Sequence, residues 1–162
     1  MMRTFSFFGS KTSVLLLALD GEHAAACARI HRESFAHPWS GADFESMLSA
    51  RETISDGLMD SRDHSLQGMI LTRVIGTEGE ILTVALTKSA RYKGNGALLI
   101  EHHLSRLTAT GVQRLFLEVA YDNTPAVKLY LKQGFVEVGR RSGYYGSGGG
   151  PAADAIVMAR DL

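Results

Sequence analysis

Residues 14–19 form an unbroken apolar run, and residues 12–19 read as a first, buried strand. Asp20 stands where a helix needs an N-cap, and Ala24, Cys27, Ile30, Ser34 and Phe35 recur at helical spacing after it. That helix stops before His37-Pro38-Trp39-Ser40, because the residue before a proline is driven out of helical angles. Ser40-Gly41-Ala42-Asp43 has the form of a capping box with Asp in place of Glu, and predicts a short helix burying Phe44, Met47 and Leu48. Residues 54–63 are polar and weakly patterned, and read as a short strand and a turn. Residues 65–75 and 80–87 flank Gly76-Thr77-Glu78-Gly79 and predict a hairpin.

Residues 96–110 return to helical spacing, with Leu98, Leu99, His102 and Leu107 near one stripe and Gly111 where a C′ glycine belongs. Residues 112–120 alternate as a strand with Leu115, Leu117 and Val119 on one face. Asn123-Thr124-Pro125 starts a further helix, with proline in the first turn where its missing N–H does no harm, and Gly134 ends it. Residues 135–140 and 155–160 read as strands around a glycine-rich loop at 146–151. The order of elements predicts an α+β fold with a mixed sheet, not a regular βαβ series. Residues 1–12 read as a flexible leader and residues 13–162 as one domain.

Composition narrows the field. The length of 162 residues suits one domain, and 45 % apolar residues suffice for a core. Lys plus Arg and Asp plus Glu both number 17, which argues against a dedicated nucleic-acid binder but leaves room for a local phosphate site. Cys27 is the sole cysteine, so an intrachain disulfide and a Cys-rich zinc site are excluded and a reducing cytoplasm is expected. No apolar run approaches the roughly 20 residues a membrane helix needs. Gly9-Ser10-Lys11-Thr12 imitates the end of a P-loop but lacks the earlier glycine and precedes a strand. His102 and His103 are adjacent and are expected on different helix faces, while His31 and His37 are expected at the surface or in loops. No cluster has metal-ligand spacing, and no metal is expected.

The chemistry concentrates between residues 80 and 135. Arg91-Tyr92-Lys93-Gly94-Asn95-Gly96 leads into a helix N-terminus, where glycines let backbone N–H groups approach a ligand and the helix dipole favours phosphate oxygens. The same pattern also fits a plain capping loop. Glu118 interrupts the apolar strand Leu117-Glu118-Val119, either as a solvent-facing residue or as a carboxylate with a task. Asn123 and Tyr130 fall roughly on one helix face, and Tyr130 alone would pass for a packing residue.

Together, Arg91-x-x-Gly94-x-Gly96, Leu117-Glu118-Val119, Asn123-x-x-Ala126-x-x-Leu129-Tyr130 and Gly134-Phe135 resemble the GCN5-related N-acetyltransferase (GNAT) superfamily. His37-Pro38-Trp39-Ser40, Arg140-Arg141, Tyr144-Tyr145 and Asp154-Ala155-Ile156-Val157-Met158 resemble its ribosomal-protein alanine N-acetyltransferase branch. The resemblance spans residues 13–160. It implies a mostly antiparallel central sheet flanked by helices, with acetyl-CoA as cosubstrate between the strand at 80–87 and the strand at 112–120. Backbone groups of Val84, Ala85 and Leu86 would bind the pantetheine arm and thioester. Arg91, Tyr92, Lys93, Gly94, Asn95 and Gly96 would hold the pyrophosphate, and Asn123 would also touch the cosubstrate. Glu118 matches the general base and Tyr130 the general acid. Pro38, Trp39, Tyr144 and Tyr145 match the walls of the peptide-acceptor side, although Trp39 also suits a staple between the first two helices.

The resemblance implies direct transfer to an amine, with Cys27 left in the core. The implied acceptor is a protein N-terminus such as a ribosomal protein's alanine; a small amine, an internal lysine, or a silent acetyl-CoA sensor are the alternatives. Thr87-Lys88 and Ala120 depart from the usual pattern and bear on the acceptor alone. A Rossmann module would also place an acidic strand residue after a glycine loop. Its third glycine position is Leu99 here, and the first glycine comes too late after the strand.

Overall fold

The computed structural model describes residues 3–5, 13–142 and 154–162. The strands are β1 (Arg3–Phe5), β2 (Val14–Ala18), β3 (Thr53–Asp60), β4 (Leu66–Ile75), β5 (Glu78–Leu86), β6 (Arg114–Ala120), β7 (Val136–Arg141) and β8 (Ala155–Asp161). The helices are α1 (Ala24–Ser34), α2 (Gly41–Ser49), α3 (Asn95–Ala109) and α4 (Thr124–Lys132). One sheet runs in the order β1-β2-β3-β4-β5-β6-β8-β7 and is antiparallel except where β5 meets β6. This is the α+β architecture expected from the pattern. A Rossmann sheet is excluded, since its strands would be mostly parallel.

Local chemistry sets the helix boundaries. Asp20 caps a single 3-10 turn that leads into α1, and Ser40 with Asp43 forms the expected reciprocal box before α2. Gly111 and Gly134 take positive φ after α3 and α4, as a C′ residue does. Arg3–Phe5, within the stretch read as a leader, pair antiparallel with β2.

Two apolar layers flank the sheet. Cys27, Ile30, Phe44 and Leu48 of α1 and α2 pack with Met69, Leu71 and Ala85 on one face. Leu99, Ile100 and Leu107 of α3 pack with Ile70, Ile81, Leu115 and Leu117 on the other.

Three expectations change here. Residues 54–63 do hold a strand followed by a turn, but the strand is not minor: β3 is an eight-residue inner strand paired on both sides. Its polar residues hid it, because Ser55 and Asp56 are buried and satisfied by tertiary partners. The carboxylate of fully buried Asp56 lies 2.6 Å from His103 Nδ1 and also takes Arg106. His102 Nε2 stands 3.5 Å from it, so the two adjacent histidines converge on one carboxylate instead of diverging. His103 Nε2 meets the Thr72 hydroxyl at 2.7 Å. Asp56, His103 and Thr72 therefore share the connectivity of a hydrolase triad, but Thr72 is fully buried and no carbonyl can reach it.

His31, expected at the surface, is buried instead. Its Nδ1 accepts from the Trp39 amide at 3.0 Å, and its ring stacks on Phe35 and Trp39.

Burial pushes His31 and His103 below the ordinary histidine range, with Asp56 opposing the shift at His103. Burial alone would raise Asp56, yet the hydrogen bond from His103 and the charges of its basic neighbours outweigh burial and hold its carboxyl below its usual value. Below about pH 6.5 the unfolded chain takes up protons on His31 and His103 that the folded chain refuses. Unfolding free energy then falls with acidification, and falls further in the carboxylate range, where unfolded Asp56 protonates before folded Asp56 does. Urea unfolding at pH 7, 6 and 5 should show this slope, reduced in His103→Gln; a flat profile would refute it. Asp56→Ala should cost about 3 kcal/mol at pH 7 by the same measurement, the low end for a broken buried pair because Arg106 keeps 38 % side-chain exposure.

Candidate active site

The site follows from an interruption in the sheet. β5 and β6 pair in parallel only from Glu78↔Arg114 to Ile81↔Leu117. Beyond that point β5 stays with β4 as far as Gly68↔Leu86, and β6 stays with β8 as far as Ala120↔Ala155. A register slip at Leu71/Thr72 leaves Leu82 as an extra residue in β5 where the strands part. Such bulges bend a strand away from its neighbour. Between Leu82 and Leu86, the edge of β5 toward β6 carries backbone groups with no strand partner among the described residues. Val84, Ala85 and Leu86 lie on this edge.

Both helices of the β6 side begin at the open end. α3 starts after Gly94, whose φ of +79° is left-handed and which offers no side-chain cap, so the first amides of α3 stay available to a ligand. Gly96 lies against Leu129 of α4 and Leu86 of β5: a Cβ there would come within 3.2 and 3.5 Å of their side chains. The first turn of α3, the middle of α4 and the end of β5 therefore touch because residue 96 has no side chain.

The loop residues divide by task. Arg91, expected as a point charge for phosphate, uses its guanidinium on the Leu86 carbonyl at 3.1 Å and the Ser34 hydroxyl at 3.0 Å. It ties the loop to the ends of β5 and α1. Asn95 donates to the Ala90 carbonyl at 2.9 Å and braces the same turn. Tyr92 holds a positive φ of 59° and is 91 % exposed. Lys93 is exposed as well. Asn123 caps α4, its side-chain oxygen accepting from the Ala126 amide at 3.4 Å.

Glu118 lies opposite the Leu117/Val119 face of β6. It is neither solvated nor buried: its side chain is 20 % exposed, and Arg141 Nη2 of β7 lies 3.1 Å from its carboxylate. Glu118 and Arg141 border a groove of about 420 Å³ that is also lined by Glu78, Glu80, Phe116 and Val157. A larger cavity of about 550 Å³, between Arg114, Gln133 and Arg160, lies at the start of β6, away from the strand opening. Tyr130 is buried in α4 against the Phe135 ring, centroids 5.8 Å apart, beside the Leu129 that meets Gly96.

On the acceptor side, Pro38 is exposed and Trp39 is partly buried between His31 and Phe44, so Trp39 does staple α1 to α2. Tyr144 and Tyr145 lie outside the described residues. Two residues at the opening were not singled out from the sequence as site residues. In the sequence Arg141 stands out only as part of Arg140-Arg141, and Thr83 has the same outward sign as Glu118, a polar residue inside an apolar strand.

A parted parallel pair with two helix N-termini at its open end is the frame of an acyl-CoA transferase, and the comparisons agree. The profile of the Acetyltransferase (GNAT) family matches residues 24–135, more than half of the chain, and the chain belongs to this family. It is an acetyl-CoA-dependent N-acetyltransferase. The [Ribosomal protein bS18]-alanine N-acetyltransferase of Salmonella typhimurium is 31 % identical over 134 residues, covering 83 % of this chain and 88 % of the relative. The crystal structure of the ribosomal-protein-S18-alanine N-acetyltransferase from Escherichia coli superposes with a TM-score of 0.84 at 28 % identity, covering 92 % of this chain and 94 % of that one. Arabidopsis thaliana NAA60 in complex with acetyl-CoA shares the fold, with a TM-score of 0.82 at 19 % identity, over 93 % of this chain and 99 % of that one. No helix among the described residues is long and apolar enough to cross a membrane.

Cys27 bears on the route of transfer. It is fully buried in α1, and burial pushes its thiol up to about 12, so it is not a thiolate at neutral pH. Cys27→Ala should keep its transfer rate to within about a few-fold, and intact-mass spectrometry of the wild type with acetyl-CoA alone should show no acetyl adduct on Cys27. An adduct there would point to a covalent intermediate.

Proposed function

We propose that this protein acetylates the N-terminal α-amine of a protein, with the N-terminal alanine of a ribosomal protein as the first acceptor to test. The observation that carries the reading is the position of Glu118 at the parting of β5 and β6, on the side of the sheet away from α3 and α4. Supporting it, relatives about 30 % identical along most of the chain are named for transfer to the alanine of bS18. Residues 13–162 act as one catalytic domain in this reading, and the cytoplasm, where the free Cys27 thiol is stable, is the compartment.

Acetyl-CoA enters between the strands with its pyrophosphate at the amides of residues 92–96 and the start of α3, where a helix N-terminus favours anionic oxygens. Arg91 serves that loop by bracing it, and Asn123 by setting the start of α4. The backbone edge at Val84, Ala85 and Leu86 holds the pantetheine arm and polarises the thioester carbonyl. Glu118 accepts the proton of the amine, directly or through one water. The amine nitrogen bonds to the carbonyl carbon, the C–S bond breaks, and Tyr130 protonates the departing thiolate. An α-amine is far less basic than a lysine, with about 300 times more of it neutral at pH 7, so a carboxylate suffices as base. Pro38 and Trp39 border the acceptor side in this reading.

Purified protein with acetyl-CoA should add one acetyl group to a peptide beginning with free alanine, read by mass. The same peptide blocked at its N-terminus and carrying an internal lysine should stay unmodified, as should a free polyamine. Transfer only to the lysine or the polyamine would replace the acceptor; transfer to none of them, with acetyl-CoA still bound, would favour a sensor. Glu118→Gln should lower kcat about a hundredfold or more while acetyl-CoA affinity holds. Unchanged turnover would remove Glu118 as base.

A further inference from the structure

We propose that the hydroxyl of Thr83 is a second holding point for the attacking amine, facing Glu118 across the opening between β5 and β6; this rests on the reading of Glu118 as the base. Thr83 is 6 % exposed, and its Oγ1 is the buried side-chain oxygen that lacks a hydrogen-bond partner among the described residues. A hydroxyl buried without a partner is expensive, and the cost is tolerated where a ligand completes the bond.

Its place in the fold indicates which ligand. Thr83 is directly opposite Leu71 in the β4–β5 ladder, so its side chain lies on the face of Leu71, toward α1 and α2. Glu118 alternates with Leu117 and Val119, which face α3, and so projects to the same side as Thr83. Ile81↔Leu117 is the last paired step, and Leu82 is the extra residue of the bulge. Thr83 and Glu118 are therefore the first polar side chains beyond the parting, one on each strand and both on the acceptor side. Thr83 also immediately precedes Val84, where the backbone edge assigned to the pantetheine arm and thioester begins.

The chemistry asks for a second acceptor at this point. A neutral primary amine attacking a thioester aims its lone pair at the carbonyl carbon, and its two N–H bonds must go elsewhere. One points to Glu118 or to a water on it, and takes the proton away as the N–C bond forms. The other needs an acceptor that neither gains nor loses a proton, and the Thr83 oxygen provides it. Held at both N–H bonds, the nitrogen has its lone pair directed at the carbonyl before reaction, which is how orientation lowers a barrier. The bond gains strength as the nitrogen becomes more acidic in the transition state, so its loss falls on kcat as well as on acceptor binding.

The test uses the full chain with acetyl-CoA and the alanine peptide, or whichever amine the wild type accepts, and compares Thr83→Val, Thr83→Ser and Glu118→Gln. Thr83→Val keeps the shape and removes the oxygen. Its kcat/KM for the acceptor should fall about tenfold, the size of one buried hydrogen bond left unmade. Its acetyl-CoA affinity by calorimetry should not change, and its Tm should hold or rise, since an unpartnered buried hydroxyl is gone. Thr83→Ser should recover kcat/KM to within about threefold of wild type. Wild-type kcat/KM in Thr83→Val, or a loss matched by lower Tm and weaker acetyl-CoA binding, would overturn the inference, as would failure of serine to rescue. If Glu118→Gln is impaired while Thr83→Val is not, this inference alone falls. If Glu118→Gln turns over normally, the reading of the base falls and takes this one with it.

Discussion

The parting of β5 from β6 after four paired residues is the constraint on which the rest of this molecule depends. A sheet whose every strand stayed paired would offer a ligand no backbone donors between its strands, because the ladder would use all but those of the edge strands. Here the register slip at Leu82 turns β5 away, and the two halves of the sheet continue separately, each held by its own antiparallel neighbour. The opening exposes a strand edge in the interior of a sheet, where it is shielded from other chains by the layers above and below. The same parallel step requires a crossover, and α3 is that crossover. Its N-terminus, and that of α4, arrive at the open end without any further device.

An opening in a sheet weakens it, and the structure compensates on both sides of α3. Asp56 with His103 and Arg106 fastens the middle of α3 to β3 and β4 from one carboxylate in the core. Arg91 fastens the loop before α3 to the end of β5 and to Ser34 of α1. Glycine at 96 lets α3 approach α4 and Leu86 closely enough to close the apolar layer beneath the loop. Arg91 thus carries a familiar pattern position with a bracing task that its charge alone would not suggest. On the other face, His31 and Trp39 hold α1 against α2 by a ring stack and one amide hydrogen bond, which sets where the α1–α2 connection lies.

Much was legible in the chain itself. The helix ends followed from Asp20, Ser40, Gly111, Asn123 and Gly134, whose preferences act within a few residues and need no tertiary partner. The glycine loop, Glu118 and Tyr130 stood out because each breaks or completes a local pattern. β3 stood out only as a short strand, not as an inner strand of the sheet. Its Ser55 and Asp56 look like turn residues until Leu19, His103 and Arg106, remote in sequence, satisfy them. For the same reason the sequence pattern alone puts His31 at the surface and the pair His102-His103 on diverging faces. A histidine is buried when a partner distant in sequence accepts or donates to it, and periodicity cannot see that partner.

The chain by itself determined the class of fold and the order of its elements from β2 onward, because short-range stereochemistry and patterned hydrophobicity suffice for both; the tasks proposed for the glycine loop, Glu118 and Tyr130 follow from the family resemblance instead. Only the tertiary structure decided that Arg91 braces its loop, that Glu118 meets Arg141, that Asp56 anchors α3, and that Thr83 carries at the opening a hydroxyl without a partner among the described residues. Each of these is a polar group whose partner, or lack of one, depends on a segment dozens of residues away. A buried polar atom has an energy only once its neighbours are in place, and that knowledge resides in packing.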